Sequence, residues 1–399
     1  MTDLPLLDVF RAAVMADPAA QQMLAELRDP EAFIAKGIEW ANARGIALTP
    51  ADLAGARPDP LAIHGFAPPP QSGAAWPPRQ WLPARCAIEA GFAIDWYHYA
   101  AAPLAEPFFA DTRNRAGMRP FNQLFRYRTQ FGDFIQADRE GALQPDGFIF
   151  HMSRCGSTLV SQMLAALPGT IVVSEADMLD MIVQLPLLAQ GVSNELHIDA
   201  LRAVVAALGR DRSGTSQRYF IKLDSWHTLA LPLFRQAFPD VPWIFLYREP
   251  VEVLVSQERM RGTQTAPGVL PPQIFGFTEA EMSLPDVDYI ARVLARTCSA
   301  VTDQWELGGG LAVDYRELPD AMLTRILPHF GIDPAPGERA LLDAASGRDA
   351  KAPDTGFKPD SARKREEAGP ATRAAAERHM AAVHARLQAL NVSWHRSAS

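Results

Sequence analysis

Residues 147–160 read Gly-Phe-Ile-Phe-His-Met-Ser-Arg-Cys-Gly-Ser-Thr-Leu-Val. The apolar run at the start, bounded by Gly147, is typical of a buried β-strand. A short loop of small and polar residues follows, and the apolar residues after Thr158 recur at helical spacing. A strand, a tight loop and a helix start form an anion cradle, because the first N–H groups of a helix have no partner within it. We therefore predict an anion-binding turn between this strand and this helix.

The side chains of the loop suit an anionic ligand. Gly156 lets the backbone approach the ligand closely, and Arg154 adds a fixed positive charge. Ser157 and Thr158 add hydroxyl donors. Cys155 is interpreted as a small residue that fits the tight turn, with a reactive thiol as the alternative. The loop differs from the nucleoside-triphosphate motif G-x-x-x-x-G-K-[ST], because no Lys precedes Ser157 and only one glycine lies within the turn.

The composition is that of an ordinary globular protein. The chain has 399 residues, of which 48% are hydrophobic and 21% are charged, and this length allows two or three domains. A net charge of −8 argues against nucleic acid or an anionic membrane as a partner of the whole surface. A local basic pocket is compatible with that charge.

The three cysteines, Cys86, Cys155 and Cys298, are widely spaced and odd in number. They form neither a disulfide framework nor a metal-binding pattern, which suits a reducing compartment. The first residues lack the basic start and apolar core of a signal peptide, and the sequence has no run of eighteen apolar residues. We therefore expect a cytoplasmic protein without a membrane span.

Changes of composition along the chain indicate four segments. The first contains the pairs Asp17-Pro18, Asp29-Pro30 and Thr49-Pro50, each of which predicts a helix start. The second is dense in proline, which favours an extended linker or strap. The segments are a helical N-terminal module at 1–55, the Pro-rich linker or strap at 56–83, an accessory segment at 84–145 and the main domain at 146–395.

Within the accessory segment, an aromatic strand is predicted over Phe92–Tyr99 and a helix over Phe121–Ile135. The residues Trp96 to Tyr99 are interpreted as core, with a substrate pocket as the alternative. From residue 146 onwards, predicted strands alternate with predicted helices. This alternation predicts an α/β fold with a parallel sheet flanked by helices and connected by right-handed crossovers.

A second anion-binding pair is Arg248 and Ser256, eight residues apart. Arg248 ends a predicted buried strand, at the carboxyl edge where open α/β sheets bind ligands. Ser256 lies two turns into the following helix, so both side chains can reach one anion. Arginine binds phosphate through two charge-assisted hydrogen bonds, which suits a terminal phosphate monoester.

The two motifs together resemble those of sulfotransferases that use 3′-phosphoadenosine-5′-phosphosulfate (PAPS). Ser-Arg-Cys-Gly-Ser-Thr at 153–158 resembles the 5′-phosphosulfate loop, and Tyr-Arg-Glu-Pro-Val-Glu-Val-Leu-Val-Ser at 247–256 resembles the 3′-phosphate motif. The resemblance covers roughly residues 146–335. A further segment, 311–318, is similar to the family's Tyr-Glu-x-Leu segment, although Arg316 replaces the usual acidic residue.

The resemblance implies a P-loop NTPase-like sulfotransferase fold, with residues 146–395 as the catalytic domain. It implies transfer of a sulfuryl group from PAPS to a hydroxyl or amine of a small-molecule, carbohydrate or peptide acceptor, with 3′,5′-adenosine bisphosphate (PAP) as product and no metal required. Arg154 would neutralise charge at the sulfuryl group as well as bind the cofactor. The N-terminal module faintly resembles a short helical domain found in some peptide natural-product precursors, which would make it a docking module; the alternative is a plain helical cap.

Other catalytic residues follow from the same resemblance. Lys222 matches the family's strand-end lysine, but Asp224 stands where the cytosolic small-molecule enzymes have their histidine base. Carbohydrate and protein-tyrosine sulfotransferases use a glutamate, and Glu175 lies at a comparable position. We rank Glu175 first as base, then Asp224, and then Asp177 and His227. A helix cap or salt bridge is the alternative role for each carboxylate.

The family often ends in Arg-Lys-Gly-x-x-Gly, a lid over the 3′-phosphate and adenine. This chain has Arg-Lys-Arg-Glu-Glu-Ala-Gly at 363–369, so both glycine positions are lost. Lys364 and Arg365, in a basic stretch that includes Lys351 and Lys358, are predicted to bind the cofactor. A solvated charge run is the alternative.

Two other classes of protein stay open. One is an ATP-dependent P-loop kinase, against which the missing lysine of the loop and the Arg248–Ser256 pair both argue. The other is a non-catalytic, nucleotide-binding scaffold that keeps the same fold.

Overall fold

A computed structural model describes residues 5–58, 68–101, 103–104, 106–347 and 360–397, with side chains as far as residue 392. The chain divides into two compact units, one of residues 1–144 with 177–216 and the other of residues 145–176 with 217–399. The four-segment division of the sequence stays a prediction. The units cut the chain differently, because residues 177–216 group with the N-terminal part.

The N-terminal part of the first unit begins with three helices. Asp17 and Asp29 cap the second and third of them, as predicted, by accepting hydrogen bonds from first-turn N–H groups. The prediction of a helix start at Thr49-Pro50 is wrong. The Asp52 carboxylate accepts both the N–H and the hydroxyl of Thr49 at 2.7 Å, which holds the chain in a turn. The elements as far as residue 144 are α1 (Leu6–Met15), α2 (Pro18–Ala25), α3 (Pro30–Asn42), β1 (Gln71–Ser72), β2 (Trp81–Ala87), β3 (Ala93–His98), α4 (Phe109–Gly117), α5 (Pro120–Leu124), β4 (Tyr127–Thr129) and α6 (Phe131–Gln136).

The strands of the first unit form a sheet of order β1-β4-β3-β2, in which β3 is antiparallel to both of its neighbours. The predicted strand over Phe92–Tyr99 is present as β3. The predicted helix over Phe121–Ile135 is wrong, because β4 interrupts it. Pairing of β4 with β3 outweighs the local helical pattern. Pro83 lies in β2 beside a bulge, at the sheet edge where proline is tolerated.

Most of the aromatic run at the end of β3 is core. Trp96 is fully buried and donates from Nε1 to the Thr129 hydroxyl at 3.0 Å. His98 and Tyr99 are also buried. Trp96, His98 and Tyr99 are therefore packing residues, as interpreted, whereas Tyr97 is half-buried and the alternative of a substrate pocket stays a prediction.

The remaining part of the chain contains the predicted alternation of strands and helices. Helices α8 to α10 belong to the first unit and the other elements to the second. The elements are β5 (Gly147–His151), α7 (Ser157–Ala165), β6 (Thr170–Ser174), α8 (Asp177–Val183), α9 (Leu185–Leu188), α10 (Asn194–Leu208), β7 (Arg218–Lys222), α11 (Leu231–Ala237), β8 (Trp243–Tyr247), α12 (Pro250–Arg259), α13 (Pro272–Phe275), α14 (Glu279–Met282), α15 (Asp286–Asp303), β9 (Gly310–Asp314), α16 (Leu327–His329), α17 (Pro336–Ser346), α18 (Ser361–Glu367) and α19 (Pro370–Ser397).

The sheet of the second unit has the order β6-β7-β5-β8-β9, and every pair in it is parallel. Helix α7 packs against β5, β6 and β7, and α19 packs against β9, α12 and α15. Strands β5 and β8 are buried along their whole length, which explains the apolar sequence of β8 and that of β5 as far as Phe150. The predicted class, an α/β fold with a parallel sheet flanked by helices and a helical N-terminal module, is confirmed.

This topology positions the site. In the order of strands, β7 and β6 lie to one side of β5, and β8 and β9 lie to the other. Loops that follow the carboxyl ends of β5, β6, β7 and β8 therefore meet at one edge, where such sheets bind ligands. No helix within the described parts of the chain is long and apolar enough to cross a bilayer.

Candidate active site

The loop after β5 has an unusual backbone. Ser153, Arg154 and Gly156 have φ angles of 79°, 55° and 87°, in the left-handed region. A Cβ at Gly156 would lie 2.8 Å from Cδ1 of Leu318 and 2.9 Å from Cδ2 of Tyr315, so only glycine fits. Non-glycine residues in this region are strained and cluster at functional sites.

The loop leads directly into α7, which begins at Ser157. Gly156 occupies the N-cap position and offers no side-chain acceptor to the first turn. The first-turn N–H groups lack partners within the helix and are available to an anion. The hydroxyl-bearing residues Ser157 and Thr158 are both buried at this end of the helix. The predicted strand, loop and helix start are thus present.

Cys155 is buried beneath the loop. Its thiol donates to the carbonyl oxygen of Leu246 in β8 at 3.1 Å. Burial raises the pKa of the Cys155 thiol to about 12, so the thiolate is scarce at neutral pH. The thiol therefore packs the loop against the sheet, and the alternative of a reactive cysteine is not supported.

The two motifs found in the sequence meet in space. Arg154 Nε donates to Ser256 Oγ at 2.9 Å, although 102 residues separate them. A second contact joins the same elements, since Gln257 Nε2 donates to Ser153 Oγ at 3.1 Å. Burial lowers the pKa of Arg154 and nearby Arg248 lowers it further, whereas Asp360 opposes the shift. The loop after β5 and helix α12 form one cationic site.

Arg248 follows β8 and is 4% exposed. Its Nε donates to Glu252 Oε2 at 2.6 Å and its Nη2 donates to Asp360 Oδ1 at 2.7 Å. The ring of Tyr315 lies under the guanidinium, 3.9 Å from its central carbon to the ring centroid. Burial opposes the charge of Arg248, but Asp360 and Glu252 outweigh it and raise its pKa.

Two predicted residues of the basic stretch form ion pairs with carboxylates that also bind Arg248. Lys364 Nζ lies 2.7 Å from Asp360 Oδ2, and the Arg365 guanidinium lies 2.7 Å from Glu252 Oε1. Burial lowers the pKa of Lys364, which is 5% exposed. Both residues therefore lie at the Arg248 site, whereas the predicted Lys351 and Lys358 lie outside the described residues.

The third cluster lies where β6 and β7 end. Lys222 is fully buried, and its Nζ lies 2.7 Å from Glu175 Oε1 and 3.3 Å from Thr158 Oγ1. Glu175 has a φ of 53°, and its N–H donates to the Lys222 carbonyl oxygen at 2.8 Å. The predicted base, the predicted lysine and the start of α7 are therefore adjacent.

A histidine that the sequence analysis did not select completes this cluster. His151 Nε2 lies 3.5 Å from Glu175 Oε1, and His151 Nδ1 accepts the Ser153 N–H at 3.1 Å. That bond leaves the ring proton on Nε2, facing the carboxylate. Burial opposes ionisation of Glu175, but Lys222 and His151 outweigh it, so the Glu175 pKa lies well below its usual range. Burial lowers the pKa of His151, which Glu175 partly offsets.

The other candidate bases occupy different places. Asp224 Oδ2 lies 3.9 Å from Nε2 of His227, a fully buried residue. Asp177 begins α8, belongs to the first unit and pairs with Arg113. Among the ranked bases, the short contact of Glu175 with Lys222 favours Glu175.

Three site residues were missed from the sequence: His151, Glu252 and Asp360. A signal existed for Glu252, because it lies four residues after Arg248, in the first turn of the helix that follows this arginine. His151 ends β5 immediately before the loop, where side chains reach the ligand edge. Asp360 lies 112 residues from Arg248, and no local pattern connects the two.

No protein-family model matches the chain, and a search of curated proteins finds no relative. Solved structures similar to it include a sulfotransferase from Alicyclobacillus acidocaldarius, with 16% identity over 62% of this chain and 96% of that one and a TM-score of 0.39. The sulfotransferase domain of the Synechococcus PCC 7002 olefin synthase has 19% identity over 65% of this chain and 98% of that one, with a TM-score of 0.35. A Mycobacterium tuberculosis sulfotransferase has 14% identity over 53% of this chain and 76% of that one, also with a TM-score of 0.35. All three are sulfotransferases, the family that the two motifs resemble.

Proposed function

We propose that this protein is a sulfotransferase that transfers a sulfuryl group from PAPS to a hydroxyl or amine of an acceptor. The observation that carries the proposal is the contact of Arg154 with Ser256 at 2.9 Å. It joins two anion-binding motifs into one site at the ligand-binding edge of a parallel sheet. A donor with phosphate groups at both ends of its ribose requires two such motifs side by side.

The side chains fit a terminal phosphate monoester. Arg248, Lys364 and Ser256 would hold the 3′-phosphate, with Arg154 beside them. A carboxylate already lies between Arg248 and Lys364, which indicates that the space between these cations accepts an anion. Of the two roles predicted for Arg154, its bond to Ser256 supports cofactor binding.

The start of α7 fits the 5′-phosphosulfate end. Gly156 provides the left-handed turn that leads into the helix, and the N–H groups and hydroxyls of Ser157 and Thr158 would bind the oxygens of the phosphosulfate. Lys222 contacts Thr158, so its ammonium is held close to this end. Backbone donors and a buried ammonium stabilise charge strongly because little reorganisation is needed.

PAPS supplies the sulfuryl group: its sulfur–oxygen bond to the 5′-phosphate breaks, the electron pair stays on that phosphate, and a bond forms from sulfur to the acceptor oxygen. Lys222 neutralises the charge that develops on the phosphate. Glu175 takes the proton of the acceptor hydroxyl, a contribution on the order of a hundredfold. Lys222 and His151 keep Glu175 ionised at neutral pH, so the carboxylate is ready to accept that proton.

A weakly basic carboxylate is adequate for this reaction. Sulfuryl transfer should resemble phosphoryl transfer, whose loose transition state requires positioning and charge stabilisation more than a strong base. Glu175 is 22% exposed at its side chain, so an acceptor can reach it. Whether the acceptor is a small molecule, a carbohydrate or a peptide stays a prediction from the resemblance.

The test is calorimetric titration of the purified protein with PAP, ATP and 5′-AMP. We expect PAP to bind far more tightly than 5′-AMP. Arg248→Ala should weaken PAP binding about a hundredfold, because it removes a buried charged donor. Arg339→Ala is the matched control, since Arg339 forms an exposed ion pair with Asp333 at 3.1 Å. It should leave the affinity unchanged.

The alternatives give different results. Binding of ATP as tight as that of PAP, with no preference for a 3′-phosphate, would support the alternative of an ATP-dependent kinase. Failure of all three nucleotides to bind would support a scaffold or another function. Where PAP binds, a screen of hydroxyl and amine acceptors with PAPS, read out as sulfated product by mass spectrometry, tests catalysis itself.

A further inference from the structure

One carboxylate of the protein lies at the centre of the cationic site. Asp360 Oδ1 accepts Arg248 Nη2 at 2.7 Å, and Asp360 Oδ2 lies 2.7 Å from Lys364 Nζ. The Ser361 hydroxyl lies 3.1 Å from the same Arg248 nitrogen. Each carboxylate oxygen thus binds a different cation, as two oxygens of a phosphate group would.

The surroundings make this carboxylate the internal counter-ion of the site. Arg248 and Lys364 are 4% and 5% exposed, so their charges cannot be neutralised by water alone. Asp360 also acts on Arg154, because its negative charge opposes the lowering of the Arg154 pKa by burial. Burial raises the pKa of Asp360, but Arg248 and Lys364 outweigh it, so the carboxylate stays ionised at neutral pH.

The contacts of Asp360 coincide with those assigned above to the 3′-phosphate. Arg248 and Lys364 cannot offer the same donors to two anions, and two anions in one place repel each other. An incoming phosphate must therefore displace Asp360.

The helix that carries these groups is also held by other contacts. Arg365 of α18 pairs with Glu252 of α12 at 2.7 Å, and Glu367 of α18 pairs with Arg259 of α12. Glu252 is 1% exposed and forms ion pairs with both Arg248 and Arg365. The cationic site should therefore persist when Asp360 alone is changed.

We propose that Asp360 is a specificity-determining residue, an internal carboxylate that occupies the 3′-phosphate site and yields only to a dianionic phosphate group. The inference rests on the proposed function and deepens it. A phosphate monoester carries about −1.5 to −2 charges and three acceptor oxygens at neutral pH, more than a carboxylate offers. A monoanion such as acetate or chloride only equals the charge of Asp360 and gains nothing by displacing it.

The experiment compares the wild-type protein, Asp360→Asn and the control Asp333→Asn by titration with PAP and with 5′-AMP. Asp333 is an exposed partner of Arg339, so its variant removes one carboxylate charge away from the site. We expect Asp360→Asn to bind PAP about tenfold more tightly, as an internal competitor is removed. Binding of 5′-AMP, which lacks the 3′-phosphate, should change much less. Unchanged or weaker PAP binding by Asp360→Asn would overturn the proposal.

Two further measurements separate the effect of the Asp360 charge from that of its shape. Asp360→Glu keeps the charge and should not tighten PAP binding; a gain equal to that of Asp360→Asn would count against a competing charge. Thermal melts with inorganic phosphate or acetate should show that both stabilise Asp360→Asn more than the wild-type protein. Equal stabilisation of both proteins would contradict the proposal.

The two proposals can fail separately. If PAP binds neither protein while inorganic phosphate selectively stabilises Asp360→Asn, the sulfotransferase proposal fails and the role of Asp360 as internal anion stands. If PAP binds the wild-type protein and Asp360→Asn equally well, the sulfotransferase proposal stands and the inference about Asp360 fails.

Discussion

The Lys222 ammonium lies 2.7 Å from Glu175 Oε1 and thereby joins the carboxyl ends of the neighbouring strands β7 and β6. Lys222 is fully buried, and the Glu175 carboxylate is a counter-ion within ion-pair distance of its ammonium. A buried ion pair adds little net stability compared with apolar side chains, but breaking one by removing a single partner is costly. Its place at the ligand edge, with Thr158 as the third member, suggests a role in function.

Replacement of Lys222 by Met should destabilise the protein by about 3 kcal/mol, because Glu175 would keep its charge without the Lys222 ammonium as counter-ion. Urea unfolding measures the loss. The control is the double variant Lys222→Met/Glu175→Gln, which should lose less than the sum of the two single variants. Additive losses would show that the two side chains are not coupled.

The assignment of the base can be tested by turnover. Glu175→Gln should lower kcat on the order of a hundredfold or more and leave PAP affinity nearly unchanged, because the amide cannot accept the proton. Asp224→Asn is the matched variant, since Asp224 lies near His227 and is second in rank. Steady-state kinetics with PAPS and an identified acceptor give both values. A large loss of kcat in Asp224→Asn with little loss in Glu175→Gln would assign the role of base to Asp224 instead.

Gly156 should not tolerate alanine. The substitution imposes a left-handed residue, which costs about 1–2 kcal/mol, and it brings a Cβ against Leu318 and Tyr315. Gly91 provides the control, since its φ of 72° and ψ of 42° are also left-handed and no described atom lies within 4 Å of an added Cβ. We expect Gly156→Ala to lose about 1–3 kcal/mol more than Gly91→Ala in urea unfolding. Equal losses would contradict the tight packing of the loop.

The cysteines should react slowly in the native protein. Burial raises the pKa of Cys86 and Cys155 to about 12 and that of Cys298 well above its usual range, so thiolates are scarce at pH 8. Ellman's reagent should label all three rapidly in urea and only slowly without it. The variant Cys86→Ser/Cys298→Ser isolates Cys155. Rapid native labelling of that variant would disprove the burial of the loop thiol.

Acid should destabilise the first unit through His98. Burial lowers the His98 pKa from 6.5 to about 3, so the unfolded chain binds a proton that the folded chain excludes. The contribution of neutral His98 to the free energy of unfolding is complete above pH 6.5. It is lost as the pH falls from 6.5 towards 3, at about 1.4 kcal/mol per pH unit.

Urea unfolding between pH 6 and 4 tests this slope. We expect His98→Gln to flatten the pH dependence by about that amount per unit. Trp81→Phe is a control, because Trp81 packs edge-on against His98 and its loss lowers stability without removing a titrating group. An unchanged slope in His98→Gln would show that His98 does not titrate as described.

The sequence alone determined the parts of the site that lie close together along the chain. Residues 147–160 specify a strand, a loop and a helix through their apolar run, one glycine and helical spacing, and each of these signals is local. The spacing of Arg248 and Ser256 is likewise local, because eight residues across a strand end and a helix start fix the reach of both side chains.

Only the tertiary structure decided which distant groups meet. His151 approaches Glu175, and Asp360 approaches Arg248, because strand order and helix packing bring together residues that no sequence period relates. The helix predicted over 121–135 failed for the same reason, since strand pairing outweighed local propensity. Local sequence patterns indicate which helix or strand a segment can form. The rest of the chain determines which charged side chains and which strands lie beside that segment.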